Sequence, residues 1–143
     1  FALLHPAGQL GKRLLLKVED VMRAGENNPV VNMNQGVRHM LYEITSKRSG
    51  AVSIIDGAGN LMGLVTDHDI RGFLEQDRDI FSLSIGEIMN EDPTYIRSNA
   101  KAIDALDLME NRGKPFVVLP VLEESGNRVV GMVHLHDLVA TGL

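Results

Sequence analysis

Apolar residues in the first half of the chain recur first at helical and then at strand spacing. Four of them stand at positions i, i+3, i+4 and i+7, namely Val37, Met40, Leu41 and Ile44. This spacing predicts an amphipathic helix that ends near Ser49-Gly50. The apolar runs at 51–55 and 61–65 flank a turn at 56–60 that contains two glycines, and they predict a β-hairpin. A second helix is expected from Asp67.

The second half repeats this order of elements. A short helical turn at 18–22 has a counterpart at 85–89, and a second hairpin is predicted from 116–122 and 128–133, followed by a helix near Leu135. Its amphipathic helix is marked by Ala102, Leu106 and Met109. Pro93 follows Pro29 by 64 residues, and Val133 follows Val65 by 68. Several landmarks in the same order indicate an internal tandem repeat.

Each unit therefore has the order β-α-β-β-α after a short helical turn. A small sheet with helices on one face leaves its other face uncovered, so two such units are expected to bury those faces on each other. The prediction is an α+β fold, with two repeats packed sheet to sheet about a pseudo-twofold axis. We place the repeats at 18–78 and 79–143, and we interpret 1–17 as a connector in which closely spaced glycines disfavour a helix.

Composition narrows the function classes. The chain has 143 residues, a net charge of −5, 44% hydrophobic residues and no cysteine. Such a charge argues against nucleic-acid binding through a basic face, and the absence of cysteine excludes disulfides and thiolate metal sites and fits the cytoplasm. No apolar run approaches the ~20 residues of a membrane helix, and we see no signal peptide. Because the sequence opens on Phe1, we expect it to be a fragment of a longer protein.

Two matching stretches carry the candidate chemistry. They are Gly63-Leu64-Val65-Thr66-Asp67-His68-Asp69-Ile70 and Gly131-Met132-Val133-His134-Leu135-His136-Asp137-Leu138. A strand that leads into a helix, with an acid near the helix N-terminus, suits a ligand that has phosphate and ribose hydroxyls. The alternative is a capping box, in which Thr66 and Asp69 only close the helix end. His134 replaces the capping Thr in the second stretch, which favours the ligand interpretation.

Other chemistries fit the residues less well. His68, His134 and His136 lie beside carboxylates, but their spacing matches no closed metal site, so we expect no metal. No Ser or Cys nucleophile has a base at a recognisable spacing, and we expect no catalytic site.

These residues resemble a tandem pair of CBS domains over about 18–143. The opening His5-Pro6-Ala7-Gly8-Gln9-Leu10-Gly11-Lys12-Arg13-Leu14-Leu15 is also similar to the junction that follows the sugar isomerase domain of bacterial D-arabinose-5-phosphate isomerases. The resemblance implies a regulatory fragment of an isomerase that interconverts ribulose 5-phosphate and arabinose 5-phosphate in Kdo and lipopolysaccharide synthesis. Without the sugar isomerase domain, the fragment is not expected to be an enzyme, and His5 is not expected to act.

The resemblance further implies that the module senses a nucleotide or nucleotide-sugar. We favour CMP-Kdo, with AMP, ADP or ATP second, and we expect no permanently bound cofactor. CBS pairs commonly dimerise through their helices, so a homodimer is expected. A module that only mediates dimerisation, with clefts filled by side chains, remains the alternative.

Position by position, the resemblance implies two clefts between the repeats. The first cleft would combine Asp137, His134 and His136 with Asn28, Gly50 and Ala51. The second cleft would combine Asp69, Thr66 and His68 with Asp92, Phe116 and Val117. The chain departs from the family pattern at His68, where a small residue is usual, and at Gly72, where an arginine is usual.

Overall fold

The computed structural model describes residues 11–110 and 117–143. Residues 11–14 are helical, so the expectation that glycines would disfavour a helix is wrong for this part of the connector. Only Gly11 falls within this turn, and the Lys12, Arg13 and Leu14 that follow it are good helix formers. Across both described ranges, no helix combines the length and the apolar character needed to cross a membrane.

The first repeat follows the predicted order. Its elements are α1 (Val18–Val21), a 3₁₀ turn (Gly25–Asn27), β1 (Val30–Asn32), α2 (Val37–Lys47), β2 (Ala51–Ile55), β3 (Leu61–Thr66) and α3 (Asp67–Glu75). The strands lie in the order β1-β2-β3, with β1 parallel and β3 antiparallel to β2. Helix α2 buries Val37, Met40 and Ile44, which confirms the helical periodicity.

The second repeat has the same helices and strands in the same order, but its 3₁₀ turn precedes the short helix instead of following it. Its elements are a 3₁₀ turn (Ile80–Ser82), α4 (Ile85–Ile88), β4 (Ile96–Arg97), α5 (Ala102–Glu110), β5 (Val118–Leu122), β6 (Val129–His134) and α6 (Leu135–Ala140). Its sheet has the order β4-β5-β6, again with one parallel and one antiparallel pair. Phe116, the predicted start of the second hairpin, lies outside the described residues.

The two short helices exchange places between the hydrophobic cores. Ile85 and Ile88 of α4 are buried in the core of the first sheet, beside Met40 and Val65. Val18 of α1 is buried in the core of the second sheet. Each repeat therefore contributes a helix to its neighbour, so neither core is complete without the other half of the chain.

The sheets face each other through a small shared cluster. Ala51 and Leu64 from the first sheet are buried with Val118 and Met132 from the second. This contact confirms the predicted sheet-to-sheet packing.

Gly63 and Gly131 lie where the chain of the opposite repeat crosses the strand. A Cβ atom on Gly63 would lie 2.6 Å from Met89 Sδ and 2.8 Å from the Asn90 carbonyl oxygen. On Gly131 it would lie 2.7 Å from Met22 Sδ and 2.8 Å from the Arg23 carbonyl oxygen. The glycine that opens each candidate stretch is therefore required by close packing.

The same crossing is held by two matching pairs of backbone hydrogen bonds. Arg23 exchanges N–H···O bonds of 2.8 and 3.0 Å with Met132. Asn90 exchanges bonds of 2.9 and 3.0 Å with Leu64. Arg23 and Asn90 thus occupy equivalent positions at the two clefts.

Candidate functional site

The turn that follows α2 connects three separate segments of the chain. Lys47 Nζ donates to the Asn28 carbonyl at 3.1 Å, just before β1. Arg23 Nη1 donates to the Arg48 carbonyl at 3.3 Å. His134 Nε2 donates to the Ser49 carbonyl at 2.7 Å. Three consecutive residues thereby join the loop before β1, the segment after α1 and the end of β6.

Backbone conformation explains why this turn is sharp. Arg48 has a φ of +50° and Gly50 a φ of +68°, and both values lie in the left-handed region that ends helices. The chain consequently reverses from α2 into β2 within a few residues. Ser49 Oγ also donates to the Ala51 carbonyl at 2.6 Å, which ties the turn to the first residue of β2.

Asp137 is held by an ion pair that crosses between the repeats. Arg23 Nε lies 3.1 Å from Asp137 Oδ2, and the two side chains are 27% and 28% exposed. Asp137 is the third residue of α6, whereas Arg23 follows α1, which lies at the other end of the chain. The carboxylate is therefore accessible but already has a cationic partner.

His134 ends β6 and turns its ring inward. It is 7% exposed, and its side chain makes no cap to the helix that follows. Burial is the main cause that lowers the pKa of His134 below its usual 6.5, and the Arg23 charge also lowers it, although the Ser49 carbonyl raises it. The lowered pKa favours the neutral ring at pH 7, and in that form the proton lies on Nε2 because the Ser49 carbonyl can only accept from that atom.

Two buried polar atoms at this cleft have no hydrogen-bond partner among residues 11–110 and 117–143. They are His134 Nδ1, which is an acceptor in the neutral ring, and Asn28 Oδ1. Asn28 is 9% exposed. A buried polar atom without a partner costs about 1–3 kcal/mol, so both atoms favour occupation of the cleft by a polar ligand or by water.

The structure brings most of the first-cleft residues together around the α2 turn. His134 contacts Ser49, directly before Gly50 and Ala51, and Asn28 contacts Lys47. His136 is exposed on the first turn of α6, beside Asp137. Sequence reasoning missed Arg23 and the three residues of the turn. Arg23 and Asn90 each follow a Met at the same place in the two repeats. This difference in charge was the signal that could have identified Arg23 from the sequence.

The second cleft is organised differently. Thr66 and Asp69 form a capping box, in which Asp69 N donates to Thr66 Oγ1 at 3.2 Å and Thr66 N donates to Asp69 Oδ2 at 3.0 Å. The capping interpretation is therefore confirmed for the first stretch. It does not extend to the second stretch, because His134 makes no cap.

The other predicted residues of the second cleft lie apart from one another. His68 and Asp69 line a cavity of about 190 Å³ formed by residues of the 68–76 segment alone. Asp92 lines a separate cavity of about 180 Å³ with residues such as Met62 and Tyr95. Val117 is 64% exposed, and Phe116 lies outside the described residues.

Within 11–110 and 117–143, no cluster of three or more His, Asp or Glu side chains could hold a metal ion. His134, the most buried candidate ligand, uses one ring nitrogen on the Ser49 carbonyl.

Two repeated α+β units, packed sheet to sheet, define a tandem domain pair. The family model of the CBS domain matches residues 18–76 and again 85–142. The chain therefore belongs to the CBS domain family, with two copies in tandem.

Known proteins resemble the chain in sequence and in fold. Arabinose 5-phosphate isomerase KdsD of Salmonella typhi is 38% identical over 143 residues, which are 100% of this chain and 42% of that protein. The chain thus spans less than half the length of that relative. The crystal structure of CBSX2 in complex with AMP has a TM-score of 0.74 and 24% identity, and the match covers 89% of this chain and 96% of that one. The CBS domain pair of protein MJ0100, in complex with 5′-methylthioadenosine and S-adenosyl-L-methionine, has a TM-score of 0.73 and 21% identity, covering 88% and 94%.

Proposed function

We propose that this CBS pair is a regulatory module that binds a nucleotide or nucleotide-sugar in the first cleft. Asp137 would accept hydrogen bonds from ribose hydroxyls, and His134 and Asn28 would contact polar groups of the ligand. Gly50 and Ala51 would line the cleft, and exposed His136 would lie at its rim. The second cleft, with Thr66, His68, Asp69, Asp92, Phe116 and Val117, is proposed as a weaker site.

The observation that carries this proposal is the pair of unpartnered buried atoms, His134 Nδ1 and Asn28 Oδ1. His134 and Asn28 come from opposite ends of the chain, and other atoms of both residues bond near the end of α2: His134 Nε2 to the Ser49 carbonyl, and the Asn28 carbonyl to Lys47 Nζ. A purely structural interface would satisfy such atoms or replace them with apolar groups. A ligand with ribose hydroxyls and an exocyclic amino group offers complementary donors for these two acceptors.

Two ligand classes have support. Relatives named arabinose 5-phosphate isomerase favour CMP-Kdo, the activated sugar made later from the product of that reaction, as a feedback effector. Adenine nucleotides are supported by CBSX2, whose structure contains AMP, and by MJ0100, whose structure contains adenosine compounds. No permanently bound cofactor is part of the proposal.

The whole protein is proposed to be a cytoplasmic arabinose-5-phosphate isomerase, whose sugar isomerase domain would carry the catalysis. In that arrangement, residues 1–17 would connect the isomerase domain to the repeats at 18–78 and 79–143. Association into a homodimer through the CBS helices belongs to the same proposal. Light scattering on the 143-residue chain tests it, because a monomer at high concentration would contradict it.

A second candidate function is a dimerisation module that binds no effector. The ion pair between Arg23 and Asp137 favours it, because the acid that ribose would need is already paired.

A thermal-shift panel with CMP-Kdo, CMP, AMP, ADP and ATP separates the two functions. A ligand that binds only the folded state stabilises it by about 2.7 kcal/mol at a concentration of 100 times its Kd. We expect a saturable rise in Tm for one ligand, which Asp137→Ala abolishes and Asp69→Ala retains. The reverse pattern would assign binding to the second cleft. No rise for any ligand at millimolar concentration would favour the dimerisation module.

A further inference from the structure

The ion pair at Asp137 competes with the ligand of the proposed function, on which this inference rests. Arg23 Nε lies 3.1 Å from Asp137 Oδ2. Ribose hydroxyls that donate to this carboxylate would need the same acceptor oxygens. Binding at Asp137 must therefore displace the guanidinium or force it to share the carboxylate.

Arg23 cannot leave the cleft when the ion pair opens. Its backbone N–H and carbonyl are both bonded to Met132. The preceding Met22 packs so closely against Gly131 that no Cβ atom would fit between them. The Arg23 side chain, by contrast, is 27% exposed. A displaced guanidinium would consequently turn about a fixed Cα position and stay within reach of a bound ligand.

We propose that Arg23 selects ligands that carry a phosphate. Without ligand it pairs with Asp137, and with ligand its planar donors bind the phosphate. Arginine is suited to this exchange because its fork of N–H groups matches carboxylate and phosphate alike, and charge-assisted bonds are roughly twice as strong as neutral ones. The Arg48 carbonyl also accepts from Arg23 Nη1 at 3.3 Å, so this second bond must open as well when the guanidinium turns to a ligand.

The second cleft lacks this device at the equivalent position. Asn90 has the same pair of backbone bonds, here to Leu64, but its side chain is short and uncharged. Asp69, the counterpart of Asp137, instead bonds to the Thr66 backbone. Among the residues that the structure describes, this pairing of an arginine with the helix acid is therefore found at the first cleft.

Isothermal titration calorimetry on the 143-residue chain tests the inference with two matched pairs of probes, AMP with adenosine and CMP with cytidine. In the wild type, the nucleotide of one pair should bind more tightly than its nucleoside. Arg23→Gln should lower nucleotide affinity by on the order of tenfold, while nucleoside affinity stays equal or rises because Asp137 is no longer occupied. Arg23→Lys should restore part of the nucleotide affinity. Asn90→Ala is the matched control and should change neither.

Three results would overturn the inference. Equal loss of nucleotide and nucleoside affinity in Arg23→Gln would make Arg23 a purely structural residue. Unchanged affinity for both would remove it from the binding site. A wild-type chain that binds none of the four probes would overturn this inference, whereas the proposed function is decided separately by the thermal-shift panel, which includes CMP-Kdo. Circular dichroism shows whether Arg23→Gln folds. If it does not, Arg23→Lys decides: a partial loss of affinity confined to the nucleotides supports a phosphate contact, and an equal loss for nucleotide and nucleoside contradicts it.

Discussion

The two clefts share one backbone framework but use it in opposite ways. In both, the residue after a partly buried Met crosses a glycine of the opposite repeat and bonds to the next residue of the strand. At the first cleft that residue is Arg23, which pairs with Asp137 across the repeats. At the second it is Asn90, and Asp69 closes its own helix with Thr66. The repeated sequence therefore preserves the backbone crossing at both clefts. A few side chains decide whether the acid of the following helix pairs across the repeats, as Asp137 does, or caps its own helix, as Asp69 does.

The largest expected effect tests the shared frame. Gly131→Ala and Gly63→Ala should each destabilise the fold by about 2–3 kcal/mol, because the added methyl group would overlap a Met sulfur and a backbone carbonyl. The free energy of unfolding in urea measures this loss. Gly57→Ala is the control, since no atom lies within 4 Å of a Cβ at that position. If only one of the two substitutions were tolerated, the conclusion that the two glycines are equivalent would be wrong.

The next effect concerns the second cleft alone. Thr66→Ala should cost about 1 kcal/mol of stability, because it removes the side-chain acceptor for Asp69 N at the start of α3. Chemical denaturation checks this value. Thr45→Ala, at an exposed position inside α2, should be neutral or slightly stabilising since alanine favours helices. A loss of the same size at Thr45 would show that capping is not the cause.

A smaller effect measures the ion pair of the first cleft. A double-mutant cycle with Arg23→Gln and Asp137→Asn should give a coupling energy of about 0.2–1 kcal/mol, the usual range for a partly exposed pair. The coupling should weaken as salt is added, because ions screen exposed charges. The equivalent cycle at Asn90 and Asp69 should give none. Comparable coupling in both cycles would contradict the assigned difference.

The smallest effect is a dependence of stability on pH through His134. The pKa of His134 is lowered in the folded state, chiefly by burial, and three ionisable groups face it: Arg23, His136 and Asp137. Below pH 6.5 the unfolded chain therefore binds more protons than the folded one, and stability is lost as the pH falls from 6.5 through the folded pKa. Tm values between pH 7.5 and 5 report this loss. His134→Gln keeps a donor for Ser49 without titrating, so it should flatten the profile; an unchanged slope would assign the titration to another group.

Much of the fold was predictable because its signals are local. Helical periodicity identified α2, and the turns at 56–60 and 123–127 identified both hairpins. The capping box of Thr66 and Asp69 was also predictable from the sequence, because its two residues are three positions apart. The helical residues 11–14 were the exception. The prediction gave more weight to the nearby glycines than to the good helix formers that follow them.

The candidate site was only partly predictable, because its main contacts join distant residues. Asp137 and His134 were identified from the repeated motif, but their partners Arg23 and Ser49 were not. Arg23 and Asp137 are 114 residues apart, and His134 and Ser49 are 85 apart. No local pattern encodes such a contact.

The sequence by itself determined the elements, their order and their duplication, because each depends on neighbours within a few residues. Only the tertiary structure decided that α1 packs in the core of the second sheet and α4 in that of the first. It also decided that Arg23 meets Asp137 and that His134 turns inward. These outcomes depend on which apolar faces cover each other when two similar units combine, and on the polar groups that this burial leaves facing one another.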